Sequence, residues 1–379
     1  MFNKNEQDKR VVLIIDFNHL AYRYAFGGAT QLSATIMVDG VPRVVDTTLP
    51  AYTIKQINRW ANHGINPTVV CFDSAGSGKC RKAYFKKYHD KIASGSGDGY
   101  KETREIQDNR FYEGINITMN LLNQGGVCCL KGEGYEADDL IKAAVDKAKE
   151  QYPNLPIHIV TGDQDMVPLV DEQVSVFLSS KKLTYAEDKM YEKNHYVQLT
   201  PENVQAYMQD LTEFKGLNLP YNTVLLKKLL RGKKADGVPA YPKFTPTKFN
   251  NLVAVLEENG HDLGSLFRYD SPVSTISYRG TEEPIPTDLI ESTPKEQKMI
   301  KFSEPKKLTE ICDILSNYLD EDIVEHVRMV YNGVNLNGAF TGLPEQFNRR
   351  PAIMKVDIKS YDEIKLQQVV SVVQIRLIY

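Results

Sequence analysis

The chain has 379 residues, of which 42% are hydrophobic and 25% charged, with a formal net charge of -3. This is the profile of a soluble globular protein and excludes a disordered, fibrous or disulfide-dense scaffold. The first apolar run, Val11–Ile15, stops at Asp16, too short for a signal-peptide core or a bilayer span, so the expectation is a cytoplasmic protein that is neither secreted nor membrane-bound.

Up to about residue 190 the chain alternates short apolar runs with helix-like segments. The runs are Val11–Ile15, Thr68–Phe72, Gly126–Leu130 and Ile157–Thr161. Each is nearly continuous and rich in β-branched residues, as a strand buried on both faces of a parallel sheet requires. Between the last two, Glu136–Tyr152 predicts a helix with Leu140, Ile141, Ala144, Val145 and Ala148 on one face. The first half therefore reads as α/β, a central, mostly parallel sheet flanked by helices.

Residues 79–113 break that rhythm. Two charged, aromatic-bearing arms flank Ser94-Gly-Ser-Gly-Asp-Gly99, which predicts an excursion from the sheet. Helices are predicted for Leu199–Leu211, with Thr200 as its cap, and for Tyr221–Arg231, ended by Gly232. Residues 266–304 are rich in Pro, Ser and Thr and read as a linker or insertion. A helical pair spans roughly 305–332. The last forty residues carry β-like runs, notably Val369–Ile378. The expected division is a core over 1–195, a helical subdomain over 196–265, the linker, and a small α+β extension over 305–379.

The acids stand at telling places. Asp16 and Asp73 directly follow the first two runs. Glu136, Asp138 and Asp139 follow the third and open a helix. Asp163 and Asp165 follow the fourth. In an open parallel sheet ligands bind beyond the carboxyl ends of the strands, so all seven reach one edge. Any one of them could be a turn residue, a helix cap or a first-turn acid favoured by the helix dipole. Seven carboxylates at one edge would repel strongly, and a pair of divalent cations removes the conflict. Hard cations such as Mg²⁺ take oxygen ligands, and two ions about 3.5–4 Å apart form the standard clamp for phosphoryl transfer. The seven histidines are scattered, which argues against zinc, and no GxSxG nucleophile motif is present.

Positive charge is clustered twice. Lys79, Arg81, Lys82, Lys86, Lys87 and Lys91 interleave with Tyr84, Phe85 and Tyr88, a pattern that suits bases stacked on rings and a backbone followed by cations. Lys227, Lys228, Arg231, Lys233, Lys234, Lys243 and Lys248 flank Asp236. Either cluster alone could be a solvated face.

The stretches Val12-Leu-Ile-Ile-Asp16-Phe-Asn-His-Leu-Ala-Tyr, Cys71-Phe-Asp73, Tyr135-Glu-Ala-Asp-Asp-Leu-Ile141 and Val160-Thr-Gly-Asp-Gln-Asp-Met166 resemble the flap-endonuclease and 5′-3′ exonuclease family, a PIN-like fold. The resemblance is greatest to the phage replication 5′ nucleases called ribonuclease H. It implies one metal site from Asp16, Asp73, Glu136, Asp138 and Asp139, and a second from Asp163, Asp165 and Asp236. It implies two Mg²⁺ ions, with Mn²⁺ able to substitute. It further implies a helical arch over about 79–113, in which Arg81, Lys82, Lys86 and Lys87 assist cleavage and Lys79, Tyr84, Tyr88 and Lys91 follow the strand. A helix-three-turn-helix element would bind duplex through the second cluster. There Gly237 replaces the family's usual Asn, and Pro239-Ala-Tyr-Pro replaces its glycine-rich turn. The implied substrates are DNA and RNA·DNA duplexes with 5′ ends or flaps. The implied setting is primer removal by a monomer in a phage-type replisome in the host cytoplasm, beside a single-strand-binding protein or sliding clamp. A catalytically silent replication factor and a PIN-like single-stranded ribonuclease are the alternatives.

Overall fold

Each apolar run of the first half is a strand, because each is buried on both faces. In chain order the elements are β1 (Val12–Asp16), α1 (Phe17–Phe26), β2 (Ser33–Val38), β3 (Val41–Asp46), α2 (Thr48–Trp60), β4 (Thr68–Phe72), α3 (Asn109–Gln124), β5 (Cys128–Lys131), α4 (Ala137–Gln151), β6 (Ile157–Thr161), β7 (Val174–Ser179) and β8 (Tyr196–Leu199). The computed structural model describes residues 10–27, 29–38, 41–73, 81–82, 85, 109–131, 135–179, 196–211, 214–268, 306–334 and 358–372. The rest of the predicted linker and the end of the Val369–Ile378 run lie outside these.

The strands order as β5-β4-β1-β6-β7-β8. All are parallel except β8, which pairs antiparallel with β7. From β1 the chain steps outward to β4 and β5, then returns through α4 to β6 on the other side of β1. That reversal opens a crevice at the carboxyl end of β1, the place where such sheets bind ligands. β2 and β3 form a separate antiparallel hairpin.

The strand alternation divides the core. Leu13, Ile15, Val70, Phe72, Cys129, Val160 and Phe177 join one buried cluster with Phe17 and Leu20 of α1, Ile54 and Ile57 of α2, and Ile115 and Leu122 of α3. Val12, Ile14 and Asp16 point to the opposite face. There α4 packs on β1 and β4, burying the predicted stripe Leu140, Ile141, Ala144, Val145 and Ala148.

The chain divides into two compact units. One comprises Met1–Ser77, Thr103–Val224 and Ile358–Tyr379; the other comprises Gly78–Glu102 and Leu225–Asp357. In the first unit, residues 358–372 clasp the amino end of the sheet. The Thr68 amide donates to the Lys359 carbonyl at 3.3 Å, Ser360 Oγ donates to the Ile65 carbonyl at 2.8 Å, and the Tyr361 hydroxyl donates to Asn58 Oδ1 at 2.6 Å. The segment ends in α11 (Glu363–Val372). Over residues 369–372 this corrects the β-like reading; residues 373–378 of that run lie outside the described residues. Leu366 and Val370 lie four apart, share one helical face and are buried in the core cluster, and Leu366 sits where a side chain on Gly125 would stand.

A second correction concerns Leu199–Leu211. Leu199 ends β8, and the helix, α5, is only Val204–Gln209. Asn203 Oδ1 accepts from the Thr200 amide at 2.9 Å, so the intervening residues form a side-chain-capped turn. Tyr221–Arg231 begins as a 3-10 turn over Tyr221–Thr223 and continues as α6 (Val224–Arg231). The second unit then carries α7 (Pro246–Glu258), α8 (Leu263–Leu266) and the expected helical pair, α9 (Lys306–Leu315) and α10 (Glu321–Val334).

Candidate metal centre

The acid edge assembles from four chain segments, all in the first unit. Asp16 ends β1 and caps α1, its Oδ1 accepting from the His19 amide at 3.2 Å. Its Oδ2 accepts from the Thr161 hydroxyl at 2.8 Å, a contact set by the pairing of β1 with β6, in which Ile15 lies opposite Val160. Thr161 Oγ1 in turn accepts from the Asp163 amide at 3.0 Å, so one hydroxyl joins the two acids. Asp163 Oδ1 accepts from the Asp165 amide at 2.9 Å, which caps the 3-10 turn Gln164–Leu169.

Asp73, just past β4, reaches the other way. Its Oδ1 accepts from the Ala137 amide at 2.7 Å and its Oδ2 from Asn18 Nδ2 at 2.5 Å. The carboxylate thus holds the amino end of α4 against the sheet, where a helix favours negative charge. That end carries Asp138. One carboxylate oxygen from each of Asp138, Asp163 and Asp165 lies within 4.8 Å of the others. Three hard oxygen donors at that spacing, without His or Cys among them, suit a hard divalent cation.

The electrostatics agree. Burial, and after it the neighbouring Asp73, raise the Asp16 pKa to about 7; the Thr161 and His19 hydrogen bonds pull against this and Asp163 adds to it. A buried acid held that far above the usual carboxylate range lacks compensating positive charge, which a cation would supply.

Glu136 and Asp139 are placed differently. They form a reciprocal capping box at the start of α4, with Asp139 Oδ2 accepting from the Glu136 amide at 3.1 Å, and both are buried. Like Asp16, Asp73 and Asp163, these two have a structural duty at a helix end. Asp236 belongs to the second unit. It closes the 3-10 turn Lys234–Asp236 before Gly237, whose φ of 68° is left-handed, and it pairs with Lys233 at 2.9 Å.

The expected cation track is uneven. Lys234, Lys243 and Lys248 are exposed. Lys227 and Lys228 are buried, because α6 covers nearly its whole circumference with Leu225, Leu226, Leu229 and Leu230. Arg231 donates from Nη1 to the Phe244 carbonyl at 2.6 Å. These side chains thus pack and brace α6, beside the duplex contact expected of them. Arg81 likewise is buried and donates from Nη2 to the Val334 carbonyl at 3.1 Å, satisfying an orphan carbonyl at the end of α10. Lys82 is exposed. Lys79, Tyr84, Lys86, Lys87, Tyr88 and Lys91 lie outside the described residues.

Three site residues carry no signature in the sequence pattern: Asn18, Thr161 and His19. Asn18 and Thr161 bond directly to the acids. His19 is set against Tyr196, Nε2 to Oη at 3.0 Å, and burial holds its pKa down to about 4. Only their proximity to Asp16 and Asp163 in the chain hinted at a role.

Comparison with known proteins follows this geometry. Residues 11–195 match the family model described as 5′-3′ exonuclease, N-terminal resolvase-like domain. The thermostable DNA polymerase I of Thermus filiformis is 28% identical over 191 residues, which is 50% of this chain and 20% of that protein. A 5′-3′ exonuclease of Buchnera aphidicola subsp. Schizaphis graminum is 26% identical over 198 residues, 50% of this chain and 56% of that one. The chain thus spans about a fifth of the polymerase and just over half of the exonuclease. Among solved structures, T5 5′-exonuclease with bound divalent zinc aligns at a TM-score of 0.46 and 11% identity, covering 96% of this chain and 100% of that one. No helix among the described residues is long and apolar enough to cross a membrane. Residues 11–195, just under half of the chain, are thus similar to the N-terminal resolvase-like domain of 5′-3′ exonucleases.

Proposed function

We propose that this protein is a divalent-metal-dependent 5′ nuclease that hydrolyses phosphodiesters near the 5′ ends or flaps of DNA and RNA·DNA duplexes. The observation that carries the reading is the convergence of Asp138, Asp163 and Asp165 within 4.8 Å, beside Asp16 and Asp73, at the carboxyl edge of a parallel sheet. Its relatives named 5′-3′ exonuclease and DNA polymerase I support it.

Mg²⁺ is the proposed resident ion, with Mn²⁺ as its substitute. Asp138, Asp163 and Asp165 would hold one ion, and Asp16 and Asp73 would share in a second. When bound, such ions supply a nucleophilic water and stabilise charge on the attacking and leaving oxygens. The chain's own part is to fix the ligands. Thr161 locks Asp16 to Asp163, Asn18 and the α4 amide orient Asp73, and the Glu136–Asp139 box keeps the α4 amino end rigid under Asp138. The exposed Lys234, Lys243 and Lys248, together with Lys82, are proposed to follow the phosphate backbone. The domain division at 195, 265 and 304 is proposed to separate nuclease core, duplex-binding element and extension. Removal of RNA primers in phage-type replication, with a clamp or single-strand-binding protein nearby, is the biological setting that this activity fits.

The test is a 5′-labelled flap or nicked RNA·DNA duplex incubated with Mg²⁺ or with EDTA, for wild type and Asp163→Asn. Cleavage with Mg²⁺ alone, lost in the variant while duplex binding persists, is expected. Binding without cleavage would favour the silent replication factor. Cutting of free RNA without regard to duplex would favour the single-stranded ribonuclease.

A further inference from the structure

We propose that His19 is a positioning residue: its imidazole, wedged between Gly162 and Tyr196, sets the separation of the β1 and β6 ends and so the mutual placement of Asp16 and Asp163. This rests on reading the acid edge as a divalent-cation site.

The observations begin with Gly162. Its φ is not among the positive values of the chain, so its backbone does not require glycine. Space does. A Cβ there would stand 2.2 Å from His19 Nδ1, 2.8 Å from Cε1 and 2.9 Å from Cγ, far inside contact distance. The ring therefore lies directly on the Thr161-Gly162-Asp163 backbone. On either side of that glycine are Thr161, which donates to Asp16, and Asp163, whose amide donates back to Thr161. The imidazole thus packs at Gly162, the residue between Thr161 with its shared hydroxyl and Asp163.

The other side of the ring is fixed. His19 Nε2 meets the Tyr196 hydroxyl at 3.0 Å, and Tyr196 is itself immobilised. It is buried on β8, Trp60 packs edge-on at 5.7 Å, and the Arg23 guanidinium lies over its ring at 5.0 Å. The His19 backbone amide also donates to Asp16 Oδ1. One residue thus touches the β1 acid through its main chain, the β6 turn through the Nδ1 edge of its ring, and a rigid post through Nε2. Groups that orient metal ligands in this way typically change metal affinity by about 10–100-fold when removed.

The experiment measures Mn²⁺ binding by calorimetry without nucleic acid, urea stability, and flap-cleavage kcat and KM at saturating Mn²⁺. The proteins are wild type, His19→Ala, His19→Gln, Gly162→Ala and the double variant His19→Ala/Gly162→Ala. His19→Ala is expected to weaken Mn²⁺ binding about tenfold or more while the KM for DNA stays within about twofold. His19→Gln, which can still reach Tyr196, should recover most of the loss. Gly162→Ala should weaken Mn²⁺ alone but cost less than about twofold beside His19→Ala, because the methyl then meets no ring. A folded His19→Ala with wild-type Mn²⁺ affinity overturns the proposal, as do strictly additive effects at the two positions. Should His19→Ala not fold, the same coupling is read between His19→Gln and Gly162→Ala, and additivity there overturns it equally. Wild type that neither binds Mn²⁺ nor cleaves refutes the acid-edge reading itself, and is recognised before any variant is compared.

Discussion

Thr161→Val is the sharpest single test of how the acid edge is held together. The change is nearly isosteric, so it creates no cavity, yet it deletes a hydroxyl that donates to Asp16 Oδ2 at 2.8 Å and accepts from the Asp163 amide at 3.0 Å. Thr161 is fully buried, so water cannot replace it. A hydrogen bond to an ionised carboxylate contributes about 1.5–3 kcal/mol, and leaving a buried amide unsatisfied costs about 1–3 kcal/mol. The variant should therefore lose roughly 3 kcal/mol, a fall in Tm of roughly 6–12 °C at about 2–4 °C per kcal/mol. Mn²⁺ affinity should fall together with stability, by about tenfold or more. Urea denaturation and calorimetric Mn²⁺ titration measure the two effects, and Thr161→Ser, which keeps the hydroxyl, serves as the reference. A Thr161→Val protein within about 0.5 kcal/mol of wild type, binding Mn²⁺ normally, would show that the hydroxyl bridge does not organise the site.

Other substitutions probe the remaining parts of the fold. Asp138→Asn should cut flap cleavage by at least about a hundredfold at fixed Mg²⁺ with duplex affinity nearly unchanged, as a filter-binding assay paired with product gels would read. His158 is buried and neutral, its pKa pushed down to about 4 by desolvation. Its contribution to stability is therefore full above pH 6.5 and is lost as pH falls toward 4, by up to roughly 3 kcal/mol at about 1.4 kcal/mol per unit. Relative to wild type, His158→Gln should gain stability between pH 6.5 and 4.5 in urea melts, and a constant difference would contradict the burial argument. Tyr361→Phe removes the bond to Asn58 within the clasp and should cost about 1–3 kcal/mol, a loss that thermal melts would register. Arg81→Met, which removes the brace on the α10 carbonyl, should lower stability by about 1–3 kcal/mol while leaving Mn²⁺ binding of the folded protein unchanged; a selective loss of turnover would support the part in cleavage expected of it.

What could be read in the sequence was what the backbone itself dictates. Val11–Ile15, Thr68–Phe72 and Ile157–Thr161 announced strands because a strand covered on both faces has no room for polar residues. The acids after them announced an edge because parallel strands share one carboxyl end. The hairpin of Ser33–Val38 and Val41–Asp46, and the strands β7 and β8, were not singled out, since their patterns are mixed and their pairing depends on partners distant in the chain. At Val369 and Val370, β-branched residues join a helix because the core offers Leu366 and Val370 a common face, a tertiary effect that local propensity does not contain. The same limit applied within the site. Asp138 and Asp139 are adjacent and identical in type, yet one faces the acid cluster and the other closes a capping box. Lys227 and Arg81 carry the charge of a phosphate contact, yet both are buried, which charge read along the sequence does not reveal. Asn18, Thr161 and His19 act through contacts to residues up to 177 positions away, which no local motif displays.

The clasp over residues 358–372 bears on how the protein is born. Tyr361, Leu366 and Val370 belong to the same buried cluster as Leu13 and Ile15 of the first strand, so the chain must have emerged from the ribosome through Val370 before that cluster is complete. A nascent chain already carrying the seven edge acids would still lack the three side chains that complete this cluster.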